Sequence, residues 1–281
     1  MKARIWLNLG LAALVVALAL LLWHKPKPAT QPEFKLTALV SAGIDRIAID
    51  KPGQPSIVLQ RTSSGWRLSA PFTARADEEM VRRVLEITTA ASLQRFPATD
   101  LGRFQLDQPL LRLALNDQEI SFGMQNPLTG EVYAATQNAV FPVAPRYLAH
   151  ALRIPADFAS RALLAEEEKP VGFEFANLTL NQRDDGKWLA PPASTDQSQD
   201  DLNRWVDEWR HASSLLTQPY DGTPAKESLT LRLRNGKTIS CKILRHEPEF
   251  VLLREDEKLQ YHFPADVGKR LLRPGKQTPN L

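Results

Sequence analysis

"GWRLSAP", Gly65 to Pro71, returns later as "GKWLAPP", Gly186 to Pro192, and the two tryptophans, Trp66 and Trp188, lie 122 positions apart. Around the first copy, "DRIAID" and "SIVLQRTSSGWRL" alternate apolar and polar residues about a Ser-Ser-Gly turn, the pattern of half-buried strands. Pro71 stops the strand because it has no N–H for the ladder. "ADEEMVRRVLEITTAASL" then sets Met80, Val84, Ile87 and Ala91 on one helical face, with Asp77, Glu78 and Glu79 at the positive end of the helix dipole. "LLRLAL", "EISFG", "EVYAAT" and "AVFPV" read as four short strands. "PRYLAHALR" reads as a closing helix with Pro145 in its first turn.

The second copy keeps this order. "FEFANLTLNQRDDGKWLAPP" gives a strand pair and its turn. "SQDDLNRWVDEWRHASSLL" gives a helix with Leu202, Trp205, Val206, Trp209 and Ser213 toward one face. Asn235-Gly236, inside "LTLRLRNGKTISCKIL", is a two-residue hairpin turn. "EFVLLRED", "LQYHFP" and "ADVGKRLLR" complete the set. Met80, Val84, Ile87 and Leu93 fall 122 positions before Leu202, Val206, Trp209 and Leu215, and Phe141-Pro142 the same distance before Phe263-Pro264.

The pattern predicts an α+β body of two tandem repeated units, residues 36–164 and 171–275. Each is an antiparallel sheet with packed helices, β-β-α-β-β-β-β-α. "AEEEKP", 165–170, is the solvated linker and 276–281 a tail. Each tryptophan ends a hairpin just before a helix, where an indole fills the gap between sheet and helix. A ligand-stacking role is the alternative.

Ahead of the body, Ile5 to Trp23, "IWLNLGLAALVVALALLLW", has no charge and one polar interruption, Asn8. As a helix at about 1.5 Å per residue it matches a hydrocarbon core of about 30 Å. Trp6 and Trp23 sit near its ends, where indoles prefer the interface. The run exceeds a signal peptide's apolar core, and no A-x-A site follows directly. An uncleaved single-pass transmembrane helix over 5–23 is therefore expected, with residues 1–4 as a cytoplasmic tail and a Pro-rich spacer over 24–35. Lys2 and Arg4 on one side nearly tie with Lys25 and Lys27 on the other. The short tail favours an exported body.

The net charge of +3 over 281 residues is small and its cations are scattered, so nucleic acid is not an expected partner. The single cysteine, Cys241, cannot form an internal disulfide and reads as a small buried strand residue. His24, His150, His211, His246 and His262 make no zinc spacing, and His246 and His262 read as exposed strand residues. No nucleophile elbow or Gly-rich phosphate loop occurs. The expected catalytic, metal and cofactor sets are therefore empty.

"TDLGRFQLDQPLLRLAL", "EISFGMQN" and "VYAATQNAVFPV" resemble the domain of unknown function 4340 family. Its pattern is a Gly-Leu-Asp followed shortly by proline, then strands leading to a glycine and a tyrosine-bearing strand. Leu106, Asp107, Pro109, Gly123 and Tyr133 match it; Gln105 stands where the family has glycine. If that glycine served a positive-φ turn, the turn must be built differently here. Asp107 reads as a turn cap ahead of Pro109. The resemblance covers the first unit well, while the second lacks the Leu-Asp-x-Pro element. It implies a bacterial membrane-anchored envelope protein, some relatives being associated with ABC-type export or gliding-motility components.

Two functions follow as expectations. One is a non-catalytic binding or scaffold component with a protein partner in the envelope, its body periplasmic on the bacterial inner membrane. The alternative is a cell-wall or glycan hydrolase, with a cleft of two or more carboxylates between the units. Lipid binding would require a continuous apolar cavity between sheet and helices.

Overall fold

The computed structural model describes residues 2–23, 32–189 and 198–274. The expected tail 276–281, the prolines after Trp188 and most of the spacer lie outside them.

The first helix, α1 (Lys2–Trp23), starts three residues before the expected Ile5. Lys, Ala and Arg are good helix formers and extend it at little cost. Its described side chains are Trp6 and residues 10–20, all exposed. Among the described residues, which leave out the side chains of 2–5, 7–9 and 21–23, no helix is long and apolar enough to cross a membrane.

The body is α+β and mostly antiparallel sheet. β1 (Phe34–Lys35) pairs with β6 (Ala91–Ser92) beside the main sheet. The first sheet contains β2 (Arg46–Asp50), β3 (Ile57–Thr62), β4 (Gly65–Ala70) and β5 (Ala74–Arg75). After helix α2 (Glu78–Leu85) come β7 (Phe96–Pro97), β8 (Leu111–Leu115), β9 (Gln118–Gln125), β10 (Val132–Ala135) and β11 (Ala139–Val143), then α3 (Arg146–Ala151). The second sheet contains β12 (Pro170–Glu174), β13 (Thr179–Gln182) and β14 (Trp188–Leu189). Helix α4 (Gln199–Arg210) then leads to β15 (Leu216–Pro219), β16 (Glu227–Leu233), β17 (Thr238–Arg245), β18 (Glu249–Arg254), β19 (Leu259–Pro264) and α5 (Ala265–Leu272).

Strand order is β5-β4-β3-β2-β8-β9-β10-β11-β7 in one sheet and β14-β13-β12-β16-β17-β18-β19-β15 in the other. Apart from β5, and with β6 outside the sheet, each position is filled by the strand of the same rank around its tryptophan. Two-residue strands such as β5 and β7 escape the sequence because they are too short to display a period of two.

Alternation sorts the sheet faces. Val132, Ala134 and Phe141 join the main core under the helices, while Tyr133, Ala135 and Val140 form a second small cluster on the opposite face. Asp77 caps α2 by accepting from the Met80 N–H, and Ser198 with Asp201 forms a capping box on α4. Cys241 is fully buried in β17, where burial pushes its thiol pKa upward.

Three readings need correction. The helix expected through Ala91 stops at Leu85, followed by a 3-10 turn to Thr89. The Thr88 and Thr89 hydroxyls donate to the carbonyls of Leu85 and Glu86, and their β-branched side chains disfavour continuation. Ala91 therefore lies exposed in β6, and Leu93, Ser213 and Leu215 lie exposed beyond the two helices. The 165–170 segment is not simply solvated: Glu166 and Glu167 are exposed, but Glu168 is drawn into an ion pair with buried Arg254. His262 is buried rather than exposed. Its Nδ1 lies 3.1 Å from Glu249, while His246 pairs separately with Glu227.

Candidate functional site

The motif residues gather on the face of the first sheet opposite the main core, where Leu101–Phe104 form a 3-10 turn. The 101–110 segment folds back over β9 and β10. Its Leu110 N–H donates to the Phe122 carbonyl at 2.8 Å, and its Leu106 N–H to the Leu101 carbonyl at 3.0 Å. Leu106 is buried with Phe104, Ala135 and Val140. Pro109 is buried too. Gly123 lies directly beneath: a β-carbon there would overlap the Phe104 carbonyl oxygen and lie 2.9 Å from Leu106 Cγ. Only glycine lets the loop settle this close to the strand.

Tyr133 completes the cluster. Its ring centroid is 4.7 Å from Phe104 and 6.4 Å from Phe96, and its hydroxyl accepts from Asn126 Nδ2 at 3.1 Å. The Arg103 guanidinium covers the outer face of Phe104 at 4.4 Å. Asp107 is exposed, and among the described residues no hydrogen bond reaches its carboxylate, so the turn cap expected of it is not made.

The expectation of a differently built turn at Gln105 is overturned. Gln105 itself adopts φ 55°, ψ 37°, the left-handed conformation that glycine takes most easily. The backbone keeps the turn, and the side chain tolerates it because it is exposed.

Trp66 and Trp188 are buried. Each donates its backbone N–H to the first residue of the following helix: Trp66 to Glu78 Oε1 at 2.7 Å, Trp188 to Gln199 Oε1 at 2.9 Å. Gln199 also donates back to the Trp188 carbonyl at 2.8 Å. The Arg61 guanidinium lies 5.0 Å from the Trp66 ring. Trp188 packs on Phe173, which also meets Trp205 and Trp209. The Trp205 and Trp209 indole N–H groups donate to the Leu271 carbonyl, joining α4 to α5.

A further cluster, invisible in the sequence, lies where the two sheets meet. Arg75 of β5 donates to Glu257 Oε1 at 2.7 Å, to the Tyr261 hydroxyl at 3.1 Å and to the Ala162 carbonyl at 2.7 Å. Arg254, 2% exposed, holds Glu168, Asp256 and the Leu163 carbonyl. Tyr261 donates its hydroxyl to Glu257. Burial alone would raise the Glu168 carboxyl pKa. Arg254, the Ala165 N–H and Arg75 outweigh it and hold the group below its ordinary value. These residues are separated by up to 186 positions, so no local pattern announces them. Among the described residues no group of His, Cys, Asp and Glu could hold a metal ion.

No curated protein and no solved structure matches the chain. The family model described as Domain of unknown function (DUF4340) matches residues 66–219. The match runs beyond the first sheet, through α4 to the end of β15. It holds the Leu106–Pro109 loop, Gly123, Tyr133 and both tryptophans, and covers more than half of the 281 residues. The chain belongs to this family.

Proposed function

We propose that the protein is a membrane-anchored, non-catalytic binding or scaffold component of an envelope assembly, with Ile5 to Trp23 spanning the membrane and the body on the exported side. The single observation that carries the non-catalytic reading is the junction between the sheets. A hydrolase site there would need one carboxylate ready to give a proton and a second ready to act on water or the sugar. Glu257 is instead engaged by Arg75 and Tyr261, and Glu168 by Arg254. The anchor rests on the uncharged run of the sequence and on the exposed leucines and valines between residues 11 and 20 of α1. The shared strand order supports an internal duplication as the origin of the body. An association with ABC-type export comes from the family resemblance alone.

Alkaline phosphatase fused after Leu281 tests the topology, together with carbonate extraction of membranes. The expected result is active phosphatase in the carbonate-resistant fraction. An inactive fusion with a fluorescent cytoplasmic reporter at the same site would reverse the orientation, and release by carbonate would remove the anchor. Cross-linking from native membranes with the intact anchor should then capture an envelope protein.

A further inference from the structure

A cavity of about 880 Å³ opens at the end of the first sheet where the chain enters from residue 33. Its accessible apolar lining is Phe34, Ala38 and Leu39, seated over the buried Leu36, Leu115 and Phe141. Its walls are fixed. β1 is paired to β6, and Thr37 donates to Gln118 Oε1 at 2.6 Å while accepting the Leu39 N–H at 3.0 Å. The Asn116 side chain accepts from the N–H groups of Asp45 and Arg46 and donates to the Gly43 carbonyl, so the β8–β9 turn cannot swing.

The rim is different in kind. Glu33, Lys35, Arg95, Asp117, Gln137 and Asn138 line it, and all six are exposed. Among the described residues none of these side chains makes a hydrogen bond or ion pair. Two cations and two carboxylates cancel, so the mouth has no net attraction for a phosphate. What remains is a ring of unused planar donors and acceptors around an apolar lining, with the Phe34 ring at its edge. Amides, carboxylates and guanidinium groups pair two at a time with adjacent hydroxyls. An apolar lining accepts the C–H face of a sugar ring, and the volume lies within the range of small-molecule sites. We propose that this cavity binds a neutral oligosaccharide, with Gln137, Asn138, Asp117 and Arg95 reading the hydroxyls and Phe34 meeting a ring face.

The test uses the full chain in a detergent that carries no sugar headgroup. Chitotriose, cellotriose and maltotriose are titrated separately by calorimetry and by saturation-transfer NMR. At least one should bind with a Kd of about 1 mM or tighter, and the Gln137→Ala/Asn138→Ala double variant should weaken it at least tenfold, roughly. Both positions are exposed, so the melting temperature should not move. Leu128→Ala, on the β9–β10 loop at the other end of the sheet, should bind like the parent. No binding of any trisaccharide overturns the proposal. So does unchanged binding by the double variant, or displacement of the sugar by inorganic phosphate or a neutral tripeptide at equal concentration.

Discussion

Gly123 lies beneath Leu106 so closely that a β-carbon on the glycine would come within 2.9 Å of Leu106 Cγ. The Phe104 carbonyl oxygen would be closer still, and backbone cannot move aside as a side-chain tip can. Two elements of the family pattern, separated along the chain, are thus two halves of one contact.

Gly123→Ala should therefore destabilise the body by about 3 kcal/mol, the upper part of the usual overpacking range. Chemical denaturation should show a lower midpoint with an unchanged slope. A midpoint equal to the parent's would mean that the 101–110 loop does not rest on β9 as described.

Gln105 is the complementary case. Relief of the left-handed backbone is worth roughly 1–2 kcal/mol, while glycine's extra freedom in the unfolded chain returns about 0.5–1. Gln105→Gly should accordingly be stabilising by up to about 1.5 kcal/mol. Gln105→Val, branched at the β-carbon, should be destabilising. Thermal unfolding of the two variants beside the parent checks the order; Val at or above Gly would refute the turn geometry.

Trp66→Ala and Trp188→Ala should each cost about 3–5 kcal/mol, because each ring is buried, 6% and 3% exposed. A domain has only about 5–15 kcal/mol in total, so either change should depress melting by many degrees. Variants that melt within a degree or so of the parent would reassign the rings to ligand binding.

The junction gives a pH dependence. The Glu168 carboxyl is held below its ordinary pKa in the folded chain, so the unfolded chain binds its proton first. Its contribution is complete above the unfolded value of about 4.3 and is lost as the pH falls through the lower folded value. Glu168→Gln should remove that part of the acid slope, flattening stability against pH below about 4.3. It should also lower stability at pH 7, since a buried arginine loses a charged partner. An acid slope identical to the parent's would show that Glu168 ionises as it does in the unfolded chain.

Much of this protein was legible in the chain itself, because the deciding interactions are local. Alternation marks β8 and β17, short apolar runs mark β11 and β18, turn chemistry places Asn235-Gly236, and Asp77 announces a helix start. The repeated tryptophan phrase locates the strand beside each helix, since a hairpin and the helix after it are fixed by neighbours a few positions away. Helix ends were less legible: Thr88 and Thr89 stop α2 through hydroxyl bonds that an apolar spacing does not encode. Only the tertiary structure decided the rest. The second cluster behind the first sheet exists because Leu106 and Tyr133 reach one face from different elements. Gln105 shows its left-handed turn only once the backbone is placed. Arg75, Glu168, Arg254, Glu257 and Tyr261 come from both sheets and the segment joining them. A buried charge depends on which opposite charge the fold brings within reach, and sequence distance carries no record of that.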